Sequence, residues 1–308
     1  MNYVGDTGKA EVARDLNTTG GKIDVIADMT LDSQLDIHAS AGANDSDEAS
    51  GGNSNADDQA AGQLNGNDTT GGGRTLPSAD SKTNNANSSS STESGSSGGS
   101  VGIAASVAVN AVIGGNQALV SNGADLTATG TVVVRASESI DAKSQADATS
   151  IDTSNGDVNI GAALALNYVS FDNTAQVGAD SVLTGNGIQV QAVTTDSERN
   201  DFVATAYSIA GNDGSAGISA SIAINVIDVD SQAVIKDSAT VNSTGEVQVV
   251  AEHEMGMQGG SAAAAVSDVA AFAVTLTLNI VGEGTGGLKT IASIGDDDGD
   301  NNGATVHA

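Results

Sequence analysis

An internal repeat of about 57 residues constrains this chain more than any other feature, because such a period predicts a solenoid, a propeller or a tandem array. One pattern, an apolar alternation that reaches an Asn, recurs as SVAVNAVI, ALALNYVS, SIAINVID and TLTLNIVG. The asparagines at nearly constant spacing are Asn110, Asn167, Asn225 and Asn279. A second anchor, a Gly before alternating Val or Ile, follows the first three at Gly130, Gly187 and Gly245. Two anchors with the same spacing make the repeat regular.

The alignment divides the chain into copies of the repeat and one insertion. NYVGDTGKAEV, from Asn2, and GKIDVIA, from Gly21, supply a first copy, and GATVHA, from Gly303, is aligned with the glycine anchor in the last. We expect a truncated repeat at 1–40, an insertion at 41–99, repeats at 100–155, 156–213 and 214–267, and a truncated repeat at 268–308. The chain is then expected to be a fragment of a longer array, whose own ends carry no targeting information.

The repeat has the composition of β-strands. Each copy contains four alternating apolar segments separated by Gly and Asn/Asp turns, without a capped amphipathic helix. β-sandwich domains need about 100 residues each, and propeller blades carry aromatic signatures, whereas aromatic residues are 2% here. We therefore predict an all-β fold, a parallel β-solenoid (β-helix) built from these repeats. One wide coil per repeat and three coils of about 19 residues both satisfy the period.

The insertion at 41–99 differs in composition from the repeats. Its large apolar residues are Leu64 and Leu76, which is too little to bury a core, so a flexible corner insertion is expected. Sister copies have short turns at this point, and lengthening one to this extent costs only about 2 kcal/mol of closure entropy. A glycosylated or partner-binding loop is the alternative, since sequons begin at Asn44, Asn67 and Asn87.

The first strand of each repeat has two different faces. Large residues such as Val107 and Val109 alternate with Gly, Ala, Ser or Thr, and the small-residue face ends in the Asn. We assign the large face to the interior and the small face to a flat outer surface suited to lateral packing or a covering segment. Stacked in register, Asn110, Asn167, Asn225 and Asn279 are expected to form a structural ladder of amides, with ligand binding as the alternative.

Charge and composition exclude several classes of function. The net charge of −29 opposes binding to nucleic acid or anionic membranes, and no apolar stretch is long enough to span a bilayer. Without Cys there is no disulfide, thiol or zinc–thiolate chemistry. The acidic string GDDDGDNNG resembles the start of a calcium loop, which makes Ca²⁺ the candidate cofactor. The candidate ligands are Asp296, Asp298, Asp300 and Asn302. The closing Glu of such a loop is missing, so a solvated acidic turn is the alternative.

The strand pattern resembles a known family. GIAASVAVNAVIGGNQALVSNGADLTATGTVVVRASES, residues 102–139, and its copies are similar to the large repetitive filamentous adhesins of bacteria, in particular leukotoxin-like filamentous adhesins. The resemblance covers nearly everything except 41–99. It implies an extracellular, cell-surface or biofilm-matrix filament with a β-solenoid stalk, and it implies no catalytic residues.

These observations lead to one functional hypothesis and two alternatives. We expect a structural module of an extracellular filament or adhesin stalk, not an enzyme, that self-associates or binds cell-surface or matrix glycans. The first alternative is a carbohydrate-active β-helix, a polysaccharide lyase or hydrolase. Against it, the ten Lys and Arg are scattered, and His38, His253 and His307 are not arranged with a nucleophile. The second alternative is a flat Thr/Ala surface that binds an ordered lattice such as ice. It would need regular rows of Thr, and the sequence shows none beyond Thr275 and Thr277.

Overall fold

The chain is a parallel β-solenoid. The computed structural model describes residues 1–41, 101–152, 158–195, 199–212, 216–282, 288–295 and 303–308. All of the secondary-structure elements in these residues are β-strands; the described residues contain no helix. Every pair of neighbouring strands among them is parallel. The predicted fold class is therefore confirmed. The predicted insertion, apart from Ala41, lies outside the described residues.

The described strands follow one another in a repeating order of a long strand, a short strand and a second long strand, which is divided in two in some coils. Their bounds are β1 (Asn2–Val12), β2 (Leu16–Thr18), β3 (Ile23–Ala41), β4 (Val101–Val120), β5 (Asp125–Ala128), β6 (Val132–Asp152), β7 (Val158–Val177), β8 (Val182–Gly185), β9 (Ile188–Thr194), β10 (Asn200–Asn212), β11 (Ala216–Ile235), β12 (Thr240–Ser243), β13 (Val247–Ala251), β14 (Met255–Val266), β15 (Ala270–Val281), β16 (Thr290–Ile294) and β17 (Thr305–His307). Of the four predicted segments, the first and the beginning of the second join into the long front strand, as in β7, and the end of the second forms the short strand, as in β8.

The strands form three sheets along the solenoid axis. The front sheet has the order β1-β4-β7-β11-β15, with β16 beside β11. The back sheet has the order β13-β9-β6-β10-β14, with β3 beside β6. The short sheet has the order β17-β12-β8-β5-β2. Front, short and back strands succeed one another along the chain, so one strand from each sheet makes up a coil.

The register shows how much chain one coil uses. Asn110 pairs with Asn167, and Asn167 pairs with Asn225, so each Asn lies beside its equivalent in the next copy of the repeat. Asn2 pairs with Asn110, and the stretch 42–100 lies between them. One whole repeat therefore makes one wide coil, and the alternative of three short coils within the same length does not fit this pairing.

The interior changes in thickness across the coil. Where all three sheets meet, large aliphatic side chains such as Leu126, Val132 and Leu183 fill a thick core. Farther along the front and back strands only two sheets face each other, and the buried residues are small. They are Ala104, Ala108, Ala146, Ala148, Ala163, Ala165, Ala204, Ala206 and Ala223. We call the first region the three-sheet core and the second the alanine layer. Since alanine fills little space, the two backbones approach closely in the alanine layer.

The assignment of the two faces from the sequence was wrong. Ala108, Ala165 and Asn167 are fully buried, whereas Val107, predicted to be interior, is 53% exposed. The small-residue face thus packs against the back sheet, and the large residues that precede the Asn in each front strand point outward. The physical reason is the thin interior, because two facing rows of Leu or Ile do not fit where two rows of alanine meet.

The glycine anchors mark a corner where coils stack closely. A Cβ on Gly130 would lie 2.7 Å from the carbonyl oxygen of Gly21, to which the Gly130 amide also donates a hydrogen bond of 2.7 Å. Any larger residue would push the coils apart at this point. The alignment of Gly303 with this anchor was wrong. Thr305 pairs with Thr240 in the short sheet, and the anchor Gly245 comes only after that short strand.

Enlarging an alanine of the alanine layer is expected to destabilise the fold. Ala165→Leu adds three carbon atoms where Ala165 is fully buried between the sheets, and overpacking of this kind costs about 1–3 kcal/mol or more. The matched control is Ala162→Leu, whose side chain lies on the outer face of the same strand. Urea unfolding followed by circular dichroism should show a lower midpoint for the first variant only. Equal midpoints would contradict a tightly packed layer.

Candidate functional site

The four predicted ladder asparagines occupy one buried row of the front sheet. Asn110, Asn167 and Asn225 are fully buried and pair in register with one another. Asn279 pairs with Asn225, and Asn2 pairs with Asn110 at the other end of the row. The row lies at the border between the alanine layer and the larger residues Val112, Val169 and Ile227.

Amide–amide hydrogen bonds run along much of this row. The Nδ2 of Asn167 donates to the Oδ1 of Asn225 at 2.9 Å, and the Nδ2 of Asn225 donates to the Oδ1 of Asn279 at 2.9 Å. The Nδ2 of Asn2 donates to the Oδ1 of Asn110 at 3.3 Å. The link between Asn110 and Asn167 is missing, and within the described residues the Oδ1 of Asn167 has no donor.

The same amides also cross the interior to the back sheet. The Nδ2 of Asn167 lies 3.0 Å from the carbonyl oxygen of Ala142 and 2.7 Å from that of Val203. The Nδ2 of Asn110 lies 3.0 Å from the carbonyl oxygen of Ser33. A side chain as short as Asn reaches the opposite backbone only because the sheets are close here. The asparagines therefore bind the front sheet to the back sheet as well as coil to coil.

A second pair of buried asparagines was missed in the sequence. Asn116 and Asn173 pair in register, and the Nδ2 of Asn116 lies 3.4 Å from the Oδ1 of Asn173. The same nitrogen donates to the carbonyl oxygens of Ala27 and Ser137, both at 2.8 Å. Their separation by one full repeat was the available signal. It was obscured because the neighbouring copies carry a Gly and a Ser at this position.

A buried cluster of polar and ionisable side chains joins three coils. Glu138 is fully buried in β6, and its Oε1 accepts a hydrogen bond of 2.9 Å from the Nδ2 of Asn200. The Nδ1 of His253, whose side chain is 4% exposed, lies 3.1 Å from the same oxygen. The Oδ1 of Asn200 accepts the amide of Ile140 at 2.7 Å. Burial of this kind makes the cluster a structural clamp without access for a substrate.

This cluster arises where the back strands are interrupted. The back strand of one coil is continuous as β6, but the next coils divide it into β9 and β10 and into β13 and β14. Glu138 lies beside the first break, where its carbonyl oxygen accepts the amide of Thr195 at 2.8 Å. His253 lies within the second break. Glu138 and His253 are 115 residues apart, the same separation as Asn110 and Asn225, so they occupy equivalent positions two copies apart. Alignment of the copies predicts contacts between adjacent coils and therefore did not show this one.

The predicted calcium ligands lie outside the described residues. Asp296, Asp298, Asp300 and Asn302 all belong to the stretch 296–302. In the described parts of the chain, no group of three or more His, Asp or Glu side chains is placed to hold a metal ion. Calcium binding by the GDDDGDNNG string therefore stays a prediction.

The outer face of the front sheet carries stacked carboxylates next to its apolar part. Asp172 pairs in register with Asp230, and Asp228 lies two residues before Asp230 on β11. Partial burial raises the pKa of Asp172 above its ordinary value, and the negative charges of Asp230 and Asp228 raise it further, while Lys289 lowers it. The stacking that suits amides thus brings like charges together.

The histidines and Arg135 are spread over the molecule. His38 lies 3.6 Å from Asp147 on the outer face of the back sheet, and Arg135 lies 3.6 Å from Asp28. His307 is exposed on β17 in the short sheet, and His253 belongs to the buried cluster. These four side chains do not converge on one site.

Comparisons with known proteins leave the family open. No family model, curated protein or solved structure matches this chain. Membership of the filamentous adhesins therefore remains a prediction from the strand pattern. In the residues that the structure describes, no helix is long and apolar enough to span a membrane.

Replacing a central amide of the row by a carboxylate is expected to destabilise the fold. Asn225→Asp removes the donor to Asn279 and Gln258 and places two acceptors against each other in a buried site. A buried group left without its partner costs about 1–3 kcal/mol, and more when it is charged. Asn186→Asp is the matched control, because Asn186 is exposed and its Oδ1 is an acceptor that Asp keeps. Equal thermal midpoints of the two variants would contradict a structural role of the row.

Neutralising Asp172 is expected to stabilise the protein at neutral pH. A raised pKa means that the folded protein holds this proton more tightly than the unfolded chain does, so ionisation of Asp172 destabilises the fold as the pH rises. Asp172→Asn should therefore raise the melting temperature slightly at pH 7. The gain should vanish below about pH 3.9, the ordinary pKa of Asp. Asp268→Asn, in an exposed bend, controls for the loss of one negative charge. A gain that persists at low pH would contradict this cause.

Proposed function

We propose that this chain is a structural module of an extracellular filament or adhesin stalk. The observation that carries the proposal is the in-register stacking of equivalent positions from coil to coil, which includes Asn110, Asn167 and Asn225. Such stacking suits a chain whose task is to build length and to display one surface repeatedly. It does not require any single coil to differ from the others, as a catalytic coil would.

The interior supports a stiff rod. Amides of the asparagine row link successive coils and also link the front sheet to the back sheet, and alanines fill the space between the sheets. Each coil contacts mainly its neighbours, so a longer array gains stability in a nearly additive way. Each added coil lengthens the rod by about 4.8 Å, the spacing of hydrogen-bonded strands.

Surface chemistry agrees with a protein exposed to water and to other surfaces. A net charge of −29 keeps such rods soluble and attracts cations such as Ca²⁺, which would lower the repulsion between neighbouring filaments. The strand pattern that is similar to filamentous adhesins points to a cell-surface or matrix location. Glycans of the cell surface or matrix are the proposed partners besides other copies of the filament.

A carbohydrate-active β-helix is the second candidate, and one observation favours it. Asp172 has a raised pKa and lies beside Asp228 and Asp230, and glycoside hydrolases use a carboxyl group of raised pKa close to a second carboxyl group as their general acid. Here the three carboxylates lie on the outer face of the front sheet, where they follow the same coil-to-coil stacking as the other side chains. Electrostatic repulsion between stacked carboxylates accounts for it without catalysis.

The test adds coils and looks for turnover. Inserting three extra copies of residues 156–213 should lengthen the particle by about 14 Å at unchanged cross-section, because each copy adds one strand spacing to every sheet. Small-angle scattering measures both quantities. The unmodified chain should also bind matrix polysaccharides without producing new reducing ends or unsaturated sugars. A widened cross-section would overturn the stalk, and cleavage that is lost in Asp172→Asn would establish the enzyme instead.

A further inference from the structure

The front sheet carries a large exposed apolar face. Alternate residues of β4 from Val101 to Ala111, and the residues paired with them on β7, β11 and β15, point away from the alanine layer. Their types are Ala, Val, Ile, Leu, Phe and Tyr throughout, without a single charge. Exposure is high for several of them, at 61% for Ile103, 53% for Val107 and 64% for Phe272. We call these outward positions the apolar face.

The apolar face is unusual for an exposed surface. The chain carries 39 acidic and 10 basic residues, yet none of these lies among the outward positions of the face. Parallel sheets in proteins are almost always covered on both sides. The back face of this sheet is covered by the back sheet, and in the described residues nothing covers the front. Contiguous apolar patches of this kind mark interaction surfaces.

The chain's own remaining residues are a poor cover. The stretch 42–100 connects Ala41 to Val101, which is the first residue of the apolar face on β4, and it has enough residues to reach across the face. Its large apolar residues are only Leu64 and Leu76, and it carries several acids. Such a composition cannot fill a face made of rows of Ile, Leu and Val. The area points to a larger partner.

A second copy of the chain has the area and the chemistry that the face needs. Eleven residues at about 3.3 Å each and four strands at about 4.8 Å give a face of roughly 700 Å². Specific, stable interfaces bury about 600–1,000 Å² on each partner, and two such faces fall within this range. The chain carries a net charge of −29, so two copies repel each other, and this uncharged face is where they can meet with little repulsion.

We propose that two copies of this chain pack front sheet against front sheet through the apolar face. The proposal deepens the proposed function, on which it rests, by naming the lateral contact between filaments. The contact is isologous, since the same surface serves both partners. Outward rows such as Leu164 and Ile222 repeat at the strand spacing in each copy, so the rows of one sheet fit between those of the other, as in stacked β-sheets. Asp172, Asp228 and Asp230 lie beside this interface and make it sensitive to salt.

Sedimentation equilibrium of the full chain at micromolar concentration tests the contact. The unmodified chain should be dimeric, and the dimer should strengthen as sodium chloride is raised. The double variant Ile218→Lys and Ile222→Lys places charges inside the interface and should be monomeric. Ile209→Lys is the matched control, because Ile209 is 41% exposed on the outer face of the back sheet and Ile218 is 40% exposed on the front. That control should remain dimeric.

Cross-linking provides a readout that does not depend on a disruptive substitution. The chain has no Cys, so Ile218→Cys introduces a single thiol. A flexible bis-maleimide cross-linker, which can join two copies of this position even when they lie away from the two-fold axis, should give a covalently linked dimer, whereas Ile209→Cys should not. Circular dichroism of each variant verifies that the β-structure is retained.

Several outcomes would overturn the proposal. A monomer at high salt, or a dimer that survives Ile218→Lys and Ile222→Lys with its β-structure intact, would exclude this interface. A monomer that dimerises only after removal of 42–100 would show that this stretch covers the face. A monomer that binds neutral lipid vesicles through Ile218 and Ile222 would assign the face to a lipid surface. Each of these results leaves the stalk intact, because particle length and polysaccharide turnover are measured independently.

Discussion

The close approach of the front and back sheets is the constraint on which the rest of this structure depends. Rows of Ala, with Gly and Ser among them, leave no room for larger side chains between the two backbones. Along the alanine layer, the bulky residues of the front strands must therefore point outward, and they form the apolar face. The same short distance lets the amides of Asn110 and Asn167 reach carbonyl oxygens of the opposite sheet. The distance between the front and back sheets thus determines which residues fill the interior, which polar groups link the sheets and which residues face outward.

Repetition gives each side chain a copy of itself as a neighbour. An amide gains from this arrangement because it carries both a donor and an acceptor, as between Asn167 and Asn225. A carboxylate loses because it carries only acceptors and a charge, as the raised pKa of Asp172 indicates. The buried pair of Glu138 and His253 avoids self-stacking by lying where the back strands are interrupted. The regular rows and this irregular clamp both follow from the same rule about which groups can stack.

The sequence was sufficient for the parts of the site that repeat. The common position of Asn110, Asn167, Asn225 and Asn279 was visible as a period, and the strands pair at those positions. Asn116 and Asn173 were harder to recognise because other copies replace them. The contact between Glu138 and His253 was not recognised, although the two residues lie 115 positions apart, the same separation as Asn110 and Asn225. They meet across the intervening coil, where the back strand is interrupted. Sequence periodicity detects equivalent positions, but it predicts contact only between adjacent coils and does not show where a strand break lets a side chain reach across the coil between.

By itself, the sequence determined that this chain folds into stacked parallel strands, and it showed at which positions the coils repeat. It also showed that each front strand has one face of small residues and one face of large apolar residues. Only the tertiary structure decided which face is buried. Alternation along a strand separates two sets of side chains, but both sets here are uncharged, so hydrophobicity cannot choose between them. The choice depends on the distance to the facing sheet, which is a property of two strands brought together. At that distance alanine fits and leucine does not, and for this reason the large residues lie outside.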